Sequence, residues 1–174
     1  MIKSQYLIRK EKSNMYRKLD DFIEEWRHNS AGTLAAFVAI TEEKKHQSIE
    51  KGHSSLEWLS WHLTTAPVYF MGQVGLSLDV ELNPSNTPST IQEIITVYNN
   101  VRDNVINAAK ENLSDEKLQE EVNSHGRDVA IGAILRMMVD HQTHHRAQMQ
   151  VLIRQAGLPV PSVMGPTKEQ RENK

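Results

Sequence analysis

Cysteine is absent from this 174-residue chain, and with it go disulfides, thiolate metal sites and a protein thiol as nucleophile. Any metal must therefore be held by nitrogen or oxygen. A dense block of one charge is missing too: 20 Lys and Arg stand against 22 Asp and Glu, for a formal net charge of -2. No basic stripe suited to a phosphate backbone results, so nucleic acid is not an expected partner. No apolar run approaches the roughly 20 residues that span a bilayer, and the stretch 1–13 is mixed and charged, without the apolar centre of a secretion signal. A soluble, cytoplasmic protein with no membrane partner is expected.

Strand-like alternation is scarce as well, and the period that does recur is helical. The length suits one domain, 1–174, large enough to bury a core without staples, with flexible ends at 1–13 and 168–174. A first helix is predicted from near Asn14 to about Ala39, with Leu19, Phe22, Ile23, Trp26, Leu34, Phe37 and Val38 at three- and four-residue steps. Ser54-Ser55-Leu56-Glu57 reads as a capping box for a second helix reaching about Val74, in which Pro67 removes a backbone donor and should cause a kink or break. The polar, proline-containing stretch 76–89 is too long for a tight hairpin and reads as a crossover. A third helix opens at Pro88 to Thr90 and ends near Asn112. After another polar connection Asp128 is placed to cap a fourth helix, which runs to Ala156 and stops at Gly157 and Pro159. The expected fold is an all-α four-helix bundle, a class that builds ligand sites between facing helices.

The chemistry is concentrated in Asp140-His141-Gln142-Thr143-His144-His145-Arg146. Residues four apart on a helix share a face, so His141 and His145 can reach one ion, whereas His144 is turned to the flank. On a helical projection the apolar stripe Ile131, Ile134, Met138, Met149, Leu152 and Ala156 is centred close to His145, with His141 nearer its edge. Imidazoles buried among Met, Ile and Leu need partners, and a shared cation satisfies a nitrogen on each. An H-x-x-x-H pair alone says little. His62 strengthens it, because it lies on the face of helix two that carries Leu59, Ala66, Tyr69, Phe70 and Gln73. Three nitrogen donors from two helices match an open metal site more closely than a closed structural one.

The run from His141 to Gln148, then Leu152-Ile153-Arg154-Gln155-Ala156-Gly157-Leu158-Pro159-Val160-Pro161 and Gly165-Pro166, resembles the C-terminal signature of the DinB/YfiT family of metalloenzymes. The segments Phe22 to Arg27 with Gly32-Thr33-Leu34, and Ser55 to His62, are similar to that family's first two helices, so the likeness spans most of the chain. It implies an up-down-down-up bundle, often a homodimer, with a divalent metal ion on His62, His141 and His145. Ala147 departs from the glycine usual there. Alanine is the better helix former and should leave the ligands undisturbed.

The resemblance also implies a reaction class, because relatives of this fold include transferases and isomerases that use low-molecular-weight thiols such as bacillithiol. A divalent ion, zinc or nickel, would favour the thiolate of such a cosubstrate. Thiol-dependent transfer of a small-molecule substrate therefore ranks first. The alternatives are a metal-dependent hydrolase and a non-catalytic, metal-tethered stress-response or partner-binding protein. A peptidase of the H-E-x-x-H kind is disfavoured, since Gln142 stands where that motif has its Glu and cannot take a proton. Neither Glu57 nor Asp140 faces the site, and no catalytic residue is assigned. Gln73 and Gln148 are candidates to close the metal shell. Trp26, Trp58 and Trp61 are expected in or beside the core, Arg146 and Arg154 on the flank of helix four, and His28, His46, His53 and His125 at the surface. Trp61 and Val68 are the apolar residues left over for a dimer contact.

Overall fold

The structure is a computed structural model that describes residues 15–172; the predicted flexible start, 1–13, and the predicted helix opening at Asn14 lie outside the described residues. Four long helices carry the fold: α1 (Leu19–Val38), α2 (Leu56–Gln73), α3 (Ile91–Asn112) and α4 (Ile131–Gln155). A two-stranded sheet, β1 (Glu121–Ser124) and β2 (Arg127–Ala130), precedes α4, and a short helix α5 (Lys168–Glu172) follows it. The architecture is mostly helical rather than purely so.

How each helix starts shows which signals were local. Lys18, at the N-cap of α1, makes no side-chain cap bond; the donor of Leu19 is taken by Asp115 Oδ1 at 2.9 Å, while Asp115 Oδ2 holds Lys18 Nζ at 2.7 Å. A cap borrowed from nearly a hundred residues away is invisible to a local reading. On α2, Ser55 Oγ accepts from the Trp58 amide at 3.2 Å, so the N-cap is one residue later than a Ser54–Glu57 box requires. Glu57 pairs instead with Lys45 at 3.0 Å. The reciprocal box forms on α3, where Glu93 N donates to Thr90 Oγ1 at 3.1 Å and Thr90 N to Glu93 Oε2 at 3.0 Å.

Pro67 does not break α2, which runs through it to Gln73. Proline has no N–H for the carbonyl four residues earlier, which is that of Leu63. That carbonyl accepts from Gln142 Nε2 of α4 at 2.7 Å. A neighbouring helix thus supplies the bond that the proline omits.

Asp128 is not a cap. It lies in β2 opposite Asn123, and α4 begins at Ile131 with no side-chain bond from Ala130. The strands are joined by His125 and Gly126, both with positive φ, 51° and 78°, as a two-residue hairpin turn demands. Right after the hairpin Gly132 meets α1's lead-in: a Cβ there would stand 2.2 Å from the carbonyl oxygen of Tyr16, whose amide donates to Gly132 O at 3.2 Å. At the other end α4 stops as predicted, with Gly157 at φ 75° and Leu158 N donating back to Ile153 O at 3.0 Å.

α1 and α2 each pack against both α3 and α4. Trp26 of α1 donates its indole N–H to Arg102 O of α3 at 3.2 Å, while Phe37 meets Tyr98 edge-on with ring centroids 5.0 Å apart. The apolar interior has two parts. One is built around Phe22, Trp26, Val105, Ile134 and Met138, the other around Phe37, Leu56, Leu63, Ile94, Tyr98 and Met149. Of the buried polar residues, Asn29, Thr33, Gln142 and Arg146 are joined by hydrogen bonds into a layer where these parts meet, while Ser30, Ser60 and Thr64 bond to carbonyls of their own helices.

Candidate metal centre

Three histidines come together at the α2/α4 contact. His62 Nε2 and His141 Nε2 are 3.1 Å apart, and the ring centroids are separated by 4.8 Å (His62–His141), 4.7 Å (His62–His145) and 4.5 Å (His141–His145). One nitrogen from each ring lies within 4.8 Å of the others, so the group can hold a metal ion. The i, i+4 spacing on α4 sets two of these rings on one face, and the opposing α2 brings the third.

The site is not where the apolar stripe of α4 pointed. The buried arc of that helix runs through Leu135, Met138, Val139, Gln142, Arg146, Met149 and Ile153, which centres it near Gln142. His141 and His145 lie on the edge toward α2, half-buried, and His144 is exposed. The projection weighed apolar residues only, whereas the middle of the arc is occupied by two polar ones. The consequence is chemical: the cluster is on a flank of the bundle that opens to solvent, not on its axis.

Gln142 and Arg146 account for that polar middle. Gln142 Oε1 accepts from Thr33 Oγ1 and Tyr98 Oη, both at 3.1 Å, and its Nε2 serves Leu63 O. Arg146, expected on a solvated flank, is 3% exposed. Its guanidinium donates to Asn29 O at 2.8 Å, Asn29 Oδ1 at 2.9 Å and Thr33 Oγ1 at 3.2 Å. Burial lowers its pKa from the ordinary arginine value. Arg154 stays outside and pairs with Glu169 at 3.2 Å. The polar layer ties α1, α2 and α3 to α4 at the turns that carry the histidines.

Aromatic rings border the cluster. Trp58 stacks on His62, with centroids 4.9 Å apart and planes at 11°, and Phe70 approaches His141 edge-on at 5.5 Å. Trp26 and Trp61 are buried as expected, the latter donating its indole N–H to Pro84 O at 2.9 Å, which removes Trp61 from the surface. Trp58, however, is 49% exposed and covers a site ring. The available signal was its four-residue spacing from His62.

The amides considered as closing ligands are occupied elsewhere. His145 Nδ1–H donates to Gln148 Oε1 at 2.9 Å, which leaves the Nε2 lone pair of His145 free. An oxygen on the second ring nitrogen is the usual way a ligating histidine is oriented. Gln148 Nε2 in turn meets His144 Nε2 at 3.2 Å, and Gln73 Oε1 accepts from Ser124 Oγ at 3.1 Å. Asp140 is held by Arg136 at 2.7 Å. His28, His46, His53 and His125 are exposed, and His125 Nε2 contacts Tyr69 Oη at 2.5 Å.

Electrostatics favour the neutral form of two of the rings, His141 and His62. Burial, reinforced by the neighbouring histidines, pushes the His141 imidazole down to about 4, and burial together with His145 lowers that of His62. Neutral imidazoles offer lone pairs, the form a metal requires. His141 Nδ1 is also buried without a hydrogen-bond partner, a cost normally met by some compensating contact. Three imidazole nitrogen donors, two of them converging at 3.1 Å with no carboxylate in the group, fit a divalent cation.

Comparison with known proteins bears on the family and the fold. The sequence model described as "DinB family" matches residues 15–174. The uncharacterized protein YrdA of Bacillus subtilis (strain 168) is 31% identical over 156 residues, covering 90% of this chain and 93% of that protein. Among solved structures, a DinB-like protein from Bacillus cereus ATCC 10987 superposes with a TM-score of 0.81 at 31% identity, over 86% of this chain and 99% of that one. A second DinB-like protein, YjoA from B. subtilis, shares the fold with a TM-score of 0.66 at 20% identity, over 84% of this chain and 99% of its own. The chain belongs to the DinB family.

Proposed function

We propose that this protein is a metal-dependent enzyme in which His62, His141 and His145 hold one divalent ion, zinc or nickel, and that it catalyses thiol-dependent transfer with a low-molecular-weight thiol such as bacillithiol as cosubstrate. The observation that carries the reading is the incomplete donor set: three imidazoles within 4.8 Å of one another, on a solvent-facing flank, with Gln73 and Gln148 committed elsewhere. Such a set matches open sites rather than closed structural ones. A bound divalent ion lowers the pKa of a coordinated thiol or water, and so would supply the nucleophile that a chain without cysteine lacks.

The chain's own residues do the rest. Gln148 fixes the ring of His145, Trp58 braces His62, and Gln142 locks α4 to α2 beside both. Hydrolysis has less support: no carboxylate belongs to the histidine group, and Glu57 and Asp140 are engaged by Lys45 and Arg136. The proposal extends to the helix order. Glu25 meets Arg136 and Asn29 meets Thr143, so α1 and α4 run alike, whereas Trp26 to Arg102 and Phe37 to Tyr98 oppose α1 and α3. An up-down-down-up bundle accommodates these pairings.

Elemental analysis of the purified protein should find about one divalent ion per chain. His62→Ala, His141→Ala and His145→Ala should each lose most of it, and His144→Ala should not. Equal retention in all four would remove the site. With metal bound, mixing with bacillithiol at neutral pH should release protons, and the loaded protein should conjugate the thiol to an electrophilic test compound. Turnover of esters or amides without any thiol would instead establish the hydrolase.

A further inference from the structure

Beside the histidines lies a cavity that the metal reading leaves unused. It has a volume of about 290 Å³ and opens where α2, α4 and the loop before α2 meet. Leu59, three residues before His62, and Gln148, three residues after His145, both line it. Three residues are close to one helical turn, about 5 Å of rise. The cavity is therefore the next layer of the α2/α4 groove, reached from the histidines by moving toward the start of α2 and the end of α4. Gln148 forms the boundary, since its Oε1 accepts from His145 Nδ1 while its side chain lines the cavity.

The lining is mostly apolar and includes no Lys, Arg, Asp or Glu. Leu59 and Leu152 form the inner wall, 2% and 5% exposed, and Ile49 and Val151 the rim, 64% and 50% exposed. His53 and Ser54 supply the remaining polar groups. Large apolar side chains left this open, on two different elements around one hollow, are what an occupant would cover. The volume decides the size of that occupant. It is roughly twice the ~150 Å³ apolar cavity that takes up benzene, enough for a substituted ring or a short alkyl chain.

We infer that this cavity binds an uncharged apolar group, a ring or short alkyl chain, of the small molecule whose reacting end is presented to His62, His141 and His145. The link to a reacting end rests on the metal reading; the cavity as a binding site does not. Two measurements separate them. In metal-free protein, 1-hexanol should shift the methyl NMR signals of Ile49, Leu59, Val151 and Leu152 selectively. No selective shift up to the solubility limit would overturn the proposal.

The second measurement uses zinc-loaded protein and a series of straight-chain alkyl hydroxamates, whose head groups seek a metal. Affinity should rise roughly fourfold per added methylene, the transfer value for burying CH₂, and level off when the cavity is full. Val151→Asp should abolish that rise, and Val38→Asp, on exposed α1 surface, should preserve it. A flat series despite tight acetohydroxamate binding would refute the cavity as part of the site while leaving the metal reading intact. Hydroxamates that bind no better than the matching alcohols, with the hexanol shifts present, would refute the metal reading and its link to the cavity, and leave an apolar binding site alone.

Discussion

Gln142→Leu tests whether the interhelical amide bond replaces the one that Pro67 omits. The leucine is close in size, so the loss is chiefly polar. Leu63 O and Tyr98 Oη each lose a partner in positions without access to water, while Thr33 Oγ1 keeps Asn29 O at 3.4 Å and Arg146 at 3.2 Å. Two orphaned buried groups at about 1–3 kcal/mol each suggest a loss of about 4 kcal/mol. For a domain of this size that is a fall in Tm of about 12 °C. The sharper test is a cycle with Pro67→Ala. An alanine at 67 returns the N–H that α2 needs for Leu63 O, so in that background Gln142→Leu should cost about 1–3 kcal/mol less. Urea unfolding of the four metal-free proteins, followed by circular dichroism, gives the coupling directly. Additivity within about 0.5 kcal/mol would show that Gln142 does not serve the carbonyl left by Pro67.

Two further predictions concern pH and assembly. In metal-free protein His141 titrates at about 4 against an ordinary 6.5, and His62 is also lowered, so between those values the unfolded chain binds more protons than the folded one. Stability should therefore be full above pH 6.5 and decline as pH falls toward about 4; the decline should be shallower in His141→Gln, and an identical slope would refute the assignment. A homodimer is proposed from the family resemblance, although Trp61 is buried against Pro84 and cannot serve the contact. Sedimentation equilibrium showing only monomer at micromolar concentration would contradict it.

Much of the fold and the site was legible because both depend on helical period. The three- and four-residue spacing of Phe22, Trp26, Ile94 and Tyr98, and Gly157 after α4, are local signals that need no tertiary knowledge. The Thr90–Glu93 box was equally local, but a box was expected at Ser54–Glu57 instead. The His141/His145 pair is of the same kind. The hairpin was missed because its strands have four residues each, too few for alternation to stand out, although the His125-Gly126 turn between them was a usable clue.

The sequence by itself excluded thiolate from the ligand chemistry and set His141 and His145 on one helical face, since residue type and helical spacing dictate both; that His62 meets them was decided by the packing of α2 on α4. Only the tertiary structure decided that Asp115 caps α1, that Gln142 completes Pro67's turn, that Arg146 is buried, and that Trp58 lies over His62. Each of these is a contact between elements far apart in the chain. Which polar group is buried depends on whether another helix brings a partner within hydrogen-bond reach, and no periodicity along one segment carries that information.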